Sequence, residues 1–211
     1  MTQLATNDFT KILEGRRSIR KYDSKVKISR EEMLAMLDEA AKAPSSVNMQ
    51  PWRFLIVESD EGKATLAPLL QFNRRQNKTS SAMIVVFGDM RCYEYADRIY
   101  GEAAKRGIMP SLMAKAQMTV AASAYRKFSR SRMNDIVIID SSLFAMQFML
   151  VARSHGYDTN PIGGFDRDKI AEDFGLDAER YVPVLIMSIG KAATEGHESV
   201  RLPTEELVWW R

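Results

Sequence analysis

The chain is 211 residues long, 45% apolar and 27% charged, a composition that supplies a substantial core and excludes a disordered chain. Its 30 basic and 27 acidic residues leave a net charge of +3, too small for nucleic-acid binding by bulk electrostatics, so affinity for anions must come from local clusters. Cys92 is the only cysteine, which excludes an intrachain disulfide and a cysteine-paired zinc site and points to a reducing compartment.

The N-terminal stretch MTQLATNDFT lacks the charged-then-apolar pattern of a secretory signal, so a cytoplasmic location is expected. Next comes GRRSIRKYD, residues 15–23, where Arg16, Arg17, Arg20 and Lys21 surround Ser18. Alone, so short a basic run reads as a solvated helix end. Ser29 followed three residues later by Glu32 forms a capping box for a helix that Pro44 ends. The runs at 52–59, 83–88 and 182–190 are short, apolar and rich in branched or aromatic residues, and they predict three strands buried on both faces.

Between the second and third strands lies a helical tract, 93–154, punctuated by Gly107, Pro110 and the polar stretch SRSRMND. Its last part, 136–151, is apolar around nearly its whole circumference, which marks a central core helix or a subunit interface. Asp140, Ser141, Ser142 and Gln147 interrupt it, and it is shorter than the roughly 18 residues of a membrane span. Gly156 offers a left-handed C-cap, with His155 before it on the last carbonyls of the helix. Trp209 and Trp210 end the chain and need a surface on which to dock.

Rossmann and P-loop glycine motifs are missing, and one cysteine with two histidines supplies neither a nucleophilic triad nor a cysteine–histidine metal cage. Three polar islands remain. RRSIR is cationic; APSSVNMQPW, residues 43–52, presents Ser45, Ser46, Asn48 and Gln50 between two prolines; NPIGGFD, residues 160–166, carries adjacent glycines that let a flat ligand approach the backbone. The last island also reads as a turn before a helix capped by Asp166. Together the islands suit a ligand with an anionic end, a polyhydroxyl middle and a heteroaromatic ring.

GRRSIR, APSSVNMQPWRF, FNRRQ and NPIGGFD, in this order and with SVRLP near the end, strongly resemble the FMN-dependent nitroreductase family, especially its small bacterial NAD(P)H nitroreductases. The likeness spans essentially the whole chain. It implies an α+β, nitroreductase-like fold: a central, mostly antiparallel sheet surrounded by helices, in an intertwined homodimer. Residues 1–211 are then a single domain, with 190–211 an arm that reaches the partner subunit.

The same resemblance implies FMN at the subunit interface, NAD(P)H as co-substrate and a small-molecule acceptor, with neither nucleic acid nor membrane as partner. Arg16, Arg17 and Ser18 belong on the phosphate and ribityl chain, Arg20 on the pyrimidine edge, and Arg201 on the phosphate. Ser199 stands where the family often has a lysine, for which Lys191 is a weak substitute. Pro44, Ser45, Ser46 and Asn48 contact the neighbouring subunit's flavin, and Gln50 a ribityl oxygen. Asn73 and Gln76 meet the ring's polar edge, while Pro161, Ile162, Gly163 and Gly164 lie against the ring, with a glycine amide toward N5. No protein nucleophile or metal is required. The expected activity is ping-pong reduction of nitroaromatics, quinones or related acceptors. The alternatives are a specialised reductive enzyme of the same fold, such as a dehalogenase or flavin-fragmenting enzyme, and a flavin-holding or sensing protein. Tyr125 and Phe128 are expected to fill core.

Overall fold

The computed structural model of the protein describes residues 4–211; the first three positions of the MTQLATNDFT stretch lie outside them. Asp8 opens α1 (Phe9–Gly15) by accepting the Lys11 N–H, and Ser29 opens α2 (Arg30–Ala40) by accepting the Glu32 N–H at 3.1 Å. The expected capping box closes on one side only, because the Glu32 carboxylate accepts the Tyr157 hydroxyl at 2.8 Å instead. In chain order follow β1 (Trp52–Val57), α3 (Asp60–Leu66), α4 (Arg74–Thr79), β2 (Ala82–Asp89), α5 (Ala96–Lys105), α6 (Ser111–Lys127), α7 (Arg130–Ser154), β3 (Asp158–Ile162), α8 (Ile170–Asp173) and β4 (Tyr181–Gly190).

The strands form one antiparallel sheet in the order β1-β2-β4-β3, and the fold is α+β. β2 is buried at every position, as its unbroken apolar run predicts. β1 differs from that expectation: it is an edge strand, and its four inner residues are half-buried. The turn expected over 160–166 begins later than its pattern suggests, because residues 160–162 belong to β3. β3 pairs Asn160 with Ser188 and Ile162 with Ile186, and its outer-edge position tolerates Pro161.

Alternation along β2 splits the core. Ile84 and Val86 pack with Met36 and Leu37 of α2 and Phe144 and Phe148 of α7, whereas Met83, Val85 and Phe87 face Leu66, Leu70 and Ile170. A third cluster joins α5, α6 and the first half of α7 around Tyr100, Tyr125 and Val137. Gly88 permits the close approach of α7 to β2, since a Cβ there would lie 2.6 Å from the Val137 side chain.

α7 is a core helix with a second, uncovered apolar face. Val137, Phe144, Phe148 and Ala152 are buried, while Ile139, Leu143 and Met146 form an exposed apolar stripe on another face. The polar stretch from Ser129 is its cap and opening turns, not a break. Its 25 residues are long and apolar enough to cross a membrane by length and composition, but it serves here as a core helix. Gly156, at φ +77°, follows its C-cap as expected.

Candidate functional site

Beyond α1 the chain extends along the free edge of β3. Ser18 pairs with Thr159 in a parallel bridge, and the Ile19 N–H donates to the Thr159 carbonyl at 3.1 Å. Ile19 is buried, which leaves Ser18 and Arg20 exposed on either side of it, with Arg16 half-buried upstream. Arg17 turns back, donating to the carbonyls of Glu14 and Arg16 at the end of α1. Tyr22 then locks the segment: its N–H donates to Thr79 Oγ1 at 3.2 Å and its hydroxyl lies 2.8 Å from Ser188 Oγ. Burial pushes the Tyr22 phenol well above its usual range, so it stays protonated.

The same edge gathers two further predicted segments. Pro161 and Gly163 are exposed and Ile162 is buried; a Cβ on Gly163 would have no neighbour within 4 Å. The Gln71 N–H reaches the Gly164 carbonyl at 3.4 Å, and Leu70 bridges Phe165, which brings the FNRRQ segment beside the glycines. There Gln76 is buried and donates to Asn73 Oδ1 at 2.9 Å, so these two amides are coupled to each other. Thr159 Oγ1 is buried and unpartnered among the described residues. Cations, a hydroxyl, backbone amides and side-chain amides thus converge on one sheet edge. A hollow of about 590 Å³ beside this segment is lined in part by Arg17, Ile19, Arg153 and Gly196, and by none of Arg16, Ser18, Arg20, Asn73 or residues 161–164.

The fourth segment is elsewhere. Residues 44–50 lead into β1, at the opposite edge of the sheet from β3. Val47, Asn48 and Gln50 have φ values of 45°, 57° and 47°, and a β-branched residue is strained in that region. Three helices hold this shape. Tyr100 of α5 donates to the Val47 carbonyl at 3.0 Å, and Tyr125 of α6 to the Ser46 carbonyl at 3.2 Å. Asp140 of α7 accepts the Ser46 N–H at 3.0 Å and its hydroxyl at 3.1 Å. Burial raises the Asp140 carboxyl above the usual carboxylate range, against the lowering effect of both Ser46 bonds, and pushes the Tyr125 phenol up to about 12. Pro44, Ser46 and Asn48 stay exposed, and Ser45 and Gln50 half-exposed.

The nitroreductase family model matches residues 13–191. The chain belongs to the nitroreductase family. It is 53% identical to "Putative NAD(P)H nitroreductase YdgI" of Bacillus subtilis, covering 99% of this chain and 100% of that one. It is also 36% identical to the CLA biosynthesis enone reductase of Lactiplantibacillus plantarum, over 94% and 92% of the two chains. The crystal structure of "a putative nitroreductase in complex with FMN" from Exiguobacterium sibiricum covers 100% of both chains at a TM-score of 0.95 and 55% identity.

Other expected positions in this nitroreductase-family chain fall as follows. The segment after β4 returns beside the basic cluster, with the Asp23 N–H on the Lys191 carbonyl at 2.9 Å and the Ala193 N–H on the Lys21 carbonyl at 3.0 Å. Arg201 is further along that segment, exposed, and donates to Ser199 Oγ at 2.7 Å. The Lys191 ammonium is engaged with the Gly156 carbonyl and stands 4.8 Å above the Tyr157 ring. His155 does not serve the helix carbonyls: its buried ring places Nε2 3.1 Å from Glu39 Oε2 on α2. Tyr125 is core, as expected, but also an anchor of the loop, a role that sequence reading missed along with those of Tyr100 and Asp140. An acidic residue inside an otherwise apolar helix was the one available signal. Among the described residues, no group of three or more His, Cys, Asp or Glu side chains is arranged to hold a metal.

Proposed function

We propose that this chain is an FMN-dependent oxidoreductase that uses NAD(P)H to reduce nitroaromatics, quinones or related activated acceptors by a ping-pong scheme. The observation that supports this reading is that the segments carrying Arg16, Ser18 and Arg20, Asn73, and residues 161–164 run together along the outer edge of β3. That donor set fits FMN. Guanidinium forks suit a phosphate, Ser18 a ribityl oxygen, and the open space at Gly163 the edge of a planar ring. Bound there, FMN supplies hydride uptake and delivery at N5. The protein's part is to grip the phosphate end, present backbone amides from 163–164 and keep one face open to donor and acceptor in turn.

The loop at 44–50 lies at the opposite sheet edge, so its expected contact with the cofactor comes from a second copy of the chain. The exposed Ile139, Leu143 and Met146 stripe and the exposed Trp209 and Trp210 support that homodimer, with 190–211 as an arm over the partner. A relative named for enone reduction extends the acceptor class to activated carbon–carbon double bonds. A cytoplasmic location accords with the single, buried, unpaired cysteine.

The test is the visible spectrum of the purified protein, followed by anaerobic titration with NADH and NADPH and then with acceptors. Flavin absorbance that bleaches with either donor and returns with acceptor is the expected result. A protein that is colourless, and stays so after FMN is added, refutes the reading. Bound flavin that no nicotinamide reduces favours a flavin-holding role instead.

A further inference from the structure

Beside the 44–50 loop, on the side of α5, lies a second cleft of about 540 Å³. Asn48 and Gln50 form its loop wall. The rest is lined chiefly by Arg53, Tyr95, Arg98, Ile99, Arg106 and Ile108. Arg53 is a fixed and neutralised part of that wall: it bonds Asp89 and the Gln50 carbonyl, each at 2.9 Å, and its guanidinium lies 4.7 Å from the centre of the Tyr95 ring.

Arg98 and Arg106 differ from it. Both are exposed, and among the described residues neither has a carboxylate within 4.0 Å. Glu102 lies between them on α5, the one acid lining the cleft, and it pairs with neither. Eight residues of helix separate the two arginines by about 12 Å. Beside them Ile99, Ala103 and Ile108 give the cleft an apolar strip, with Ile108 67% exposed at the turn joining α5 to α6. Cationic forks on an apolar and aromatic surface suit a carboxylate carried on an apolar body.

We infer that this cleft selects the acceptor, holding the carboxylate of an amphipathic acceptor on Arg98 and Arg106 while its apolar body lies along Tyr95, Ile99 and Ile108. The inference rests on the proposed function, because the shared loop is what sets the cleft beside a neighbouring subunit's cofactor. It assigns a substrate class to a site that otherwise accepts any activated acceptor.

The test compares para-nitrobenzoate with its methyl ester, which share the reacting nitro group and differ in charge. In the flavin-loaded enzyme carrying Arg98→Ala and Arg106→Ala, the ratio of kcat/KM for the acid to that for the ester is expected to fall about tenfold, the loss of a charge-assisted contact. The Arg98→Lys, Arg106→Lys pair should recover most of that ratio. Flavin content per protomer and circular dichroism are read on every variant. An unchanged ratio in folded, flavin-loaded double-alanine enzyme overturns the inference. So does a change in NADPH-over-NADH preference with the acid-to-ester ratio unmoved, which assigns the arginines to a phosphate of the donor. A wild-type protein that never takes up flavin is a separate result, visible in the spectrum, and removes the underlying reading together with this one.

Discussion

The anchoring of residues 44–50 gives the sharpest prediction. Val47 in the left-handed region costs about 1–3 kcal/mol, and Asn48 and Gln50 add to it. Against this stand two neutral bonds from Tyr100 and Tyr125, about 0.5–1.5 kcal/mol each, and two from Ser46 to the Asp140 carboxylate, about 1.5–3 each. Asp140→Ala leaves the Ser46 N–H without its acceptor, which costs about 1–3 kcal/mol and lowers Tm by roughly 2–12 °C. Asp140→Asn keeps an acceptor oxygen and removes a buried charge, so its cost is expected to stay within about 1 kcal/mol. The native state binds the Asp140 proton more tightly than the unfolded chain does. The stability linked to that proton is therefore full below the unfolded pKa and is lost as pH rises through the raised one. Asp140→Asn should flatten this dependence. Urea titrations of the three proteins across that pH window provide the assay. Equal, small losses for Ala and Asn refute the anchor; an Asn variant as unstable as Ala shows that the charge, not the acceptor geometry, holds the loop.

Three further outcomes are expected. Gly88→Ala places a methyl 2.6 Å from Val137 Cγ2 and 2.7 Å from its Cβ and should destabilise by about 1–3 kcal/mol; because the Cβ contact survives in Val137→Ala, that second change should restore little stability in a double-mutant cycle followed by denaturant melts. Cys92 is fully buried and its thiol is pushed up to about 12 by burial, so a thiol reagent at neutral pH should leave it unmodified in the folded protein and label it only after denaturation. On the proposed function, Arg16→Ala should weaken FMN binding by about tenfold, whereas Arg17→Ala, whose guanidinium caps α1, should mainly affect stability; fluorescence titration with FMN separates the two.

What was legible in the sequence follows the range of the forces involved. β2 is an uninterrupted apolar segment and would be buried in almost any arrangement, so its pattern sufficed. β3 has five residues, three of them polar and one proline, and becomes a strand only because β4 lies beside it. The half-burial of β1 reflects its place at the edge, which local pattern does not encode. Within the candidate site, the basic cluster, the FNRRQ amides and the glycines were found as short motifs and meet in space. The left-handed Val47 was invisible, since a β-branched residue argues against it. Its shape is imposed by Tyr100, Tyr125 and Asp140, which lie 53, 79 and 94 residues from the groups they hold.

That long-range imposition links the fold to the proposed chemistry through α7. On one face Asp140 fixes the 44–50 loop, and on another Ile139, Leu143 and Met146 are exposed. In the proposed homodimer, burying that stripe would settle α7 against a second copy, and the same helix would then hold a rigid loop out toward the partner's cofactor edge. A loop carrying three left-handed residues would relax if free, so its hydroxyl and amide groups would reach a neighbouring ligand in many orientations. Held from three helices, they reach it in one. In that proposed assembly, dimer contact and cofactor geometry would both depend on residues adjacent on a single helix, the exposed Ile139 and the buried Asp140.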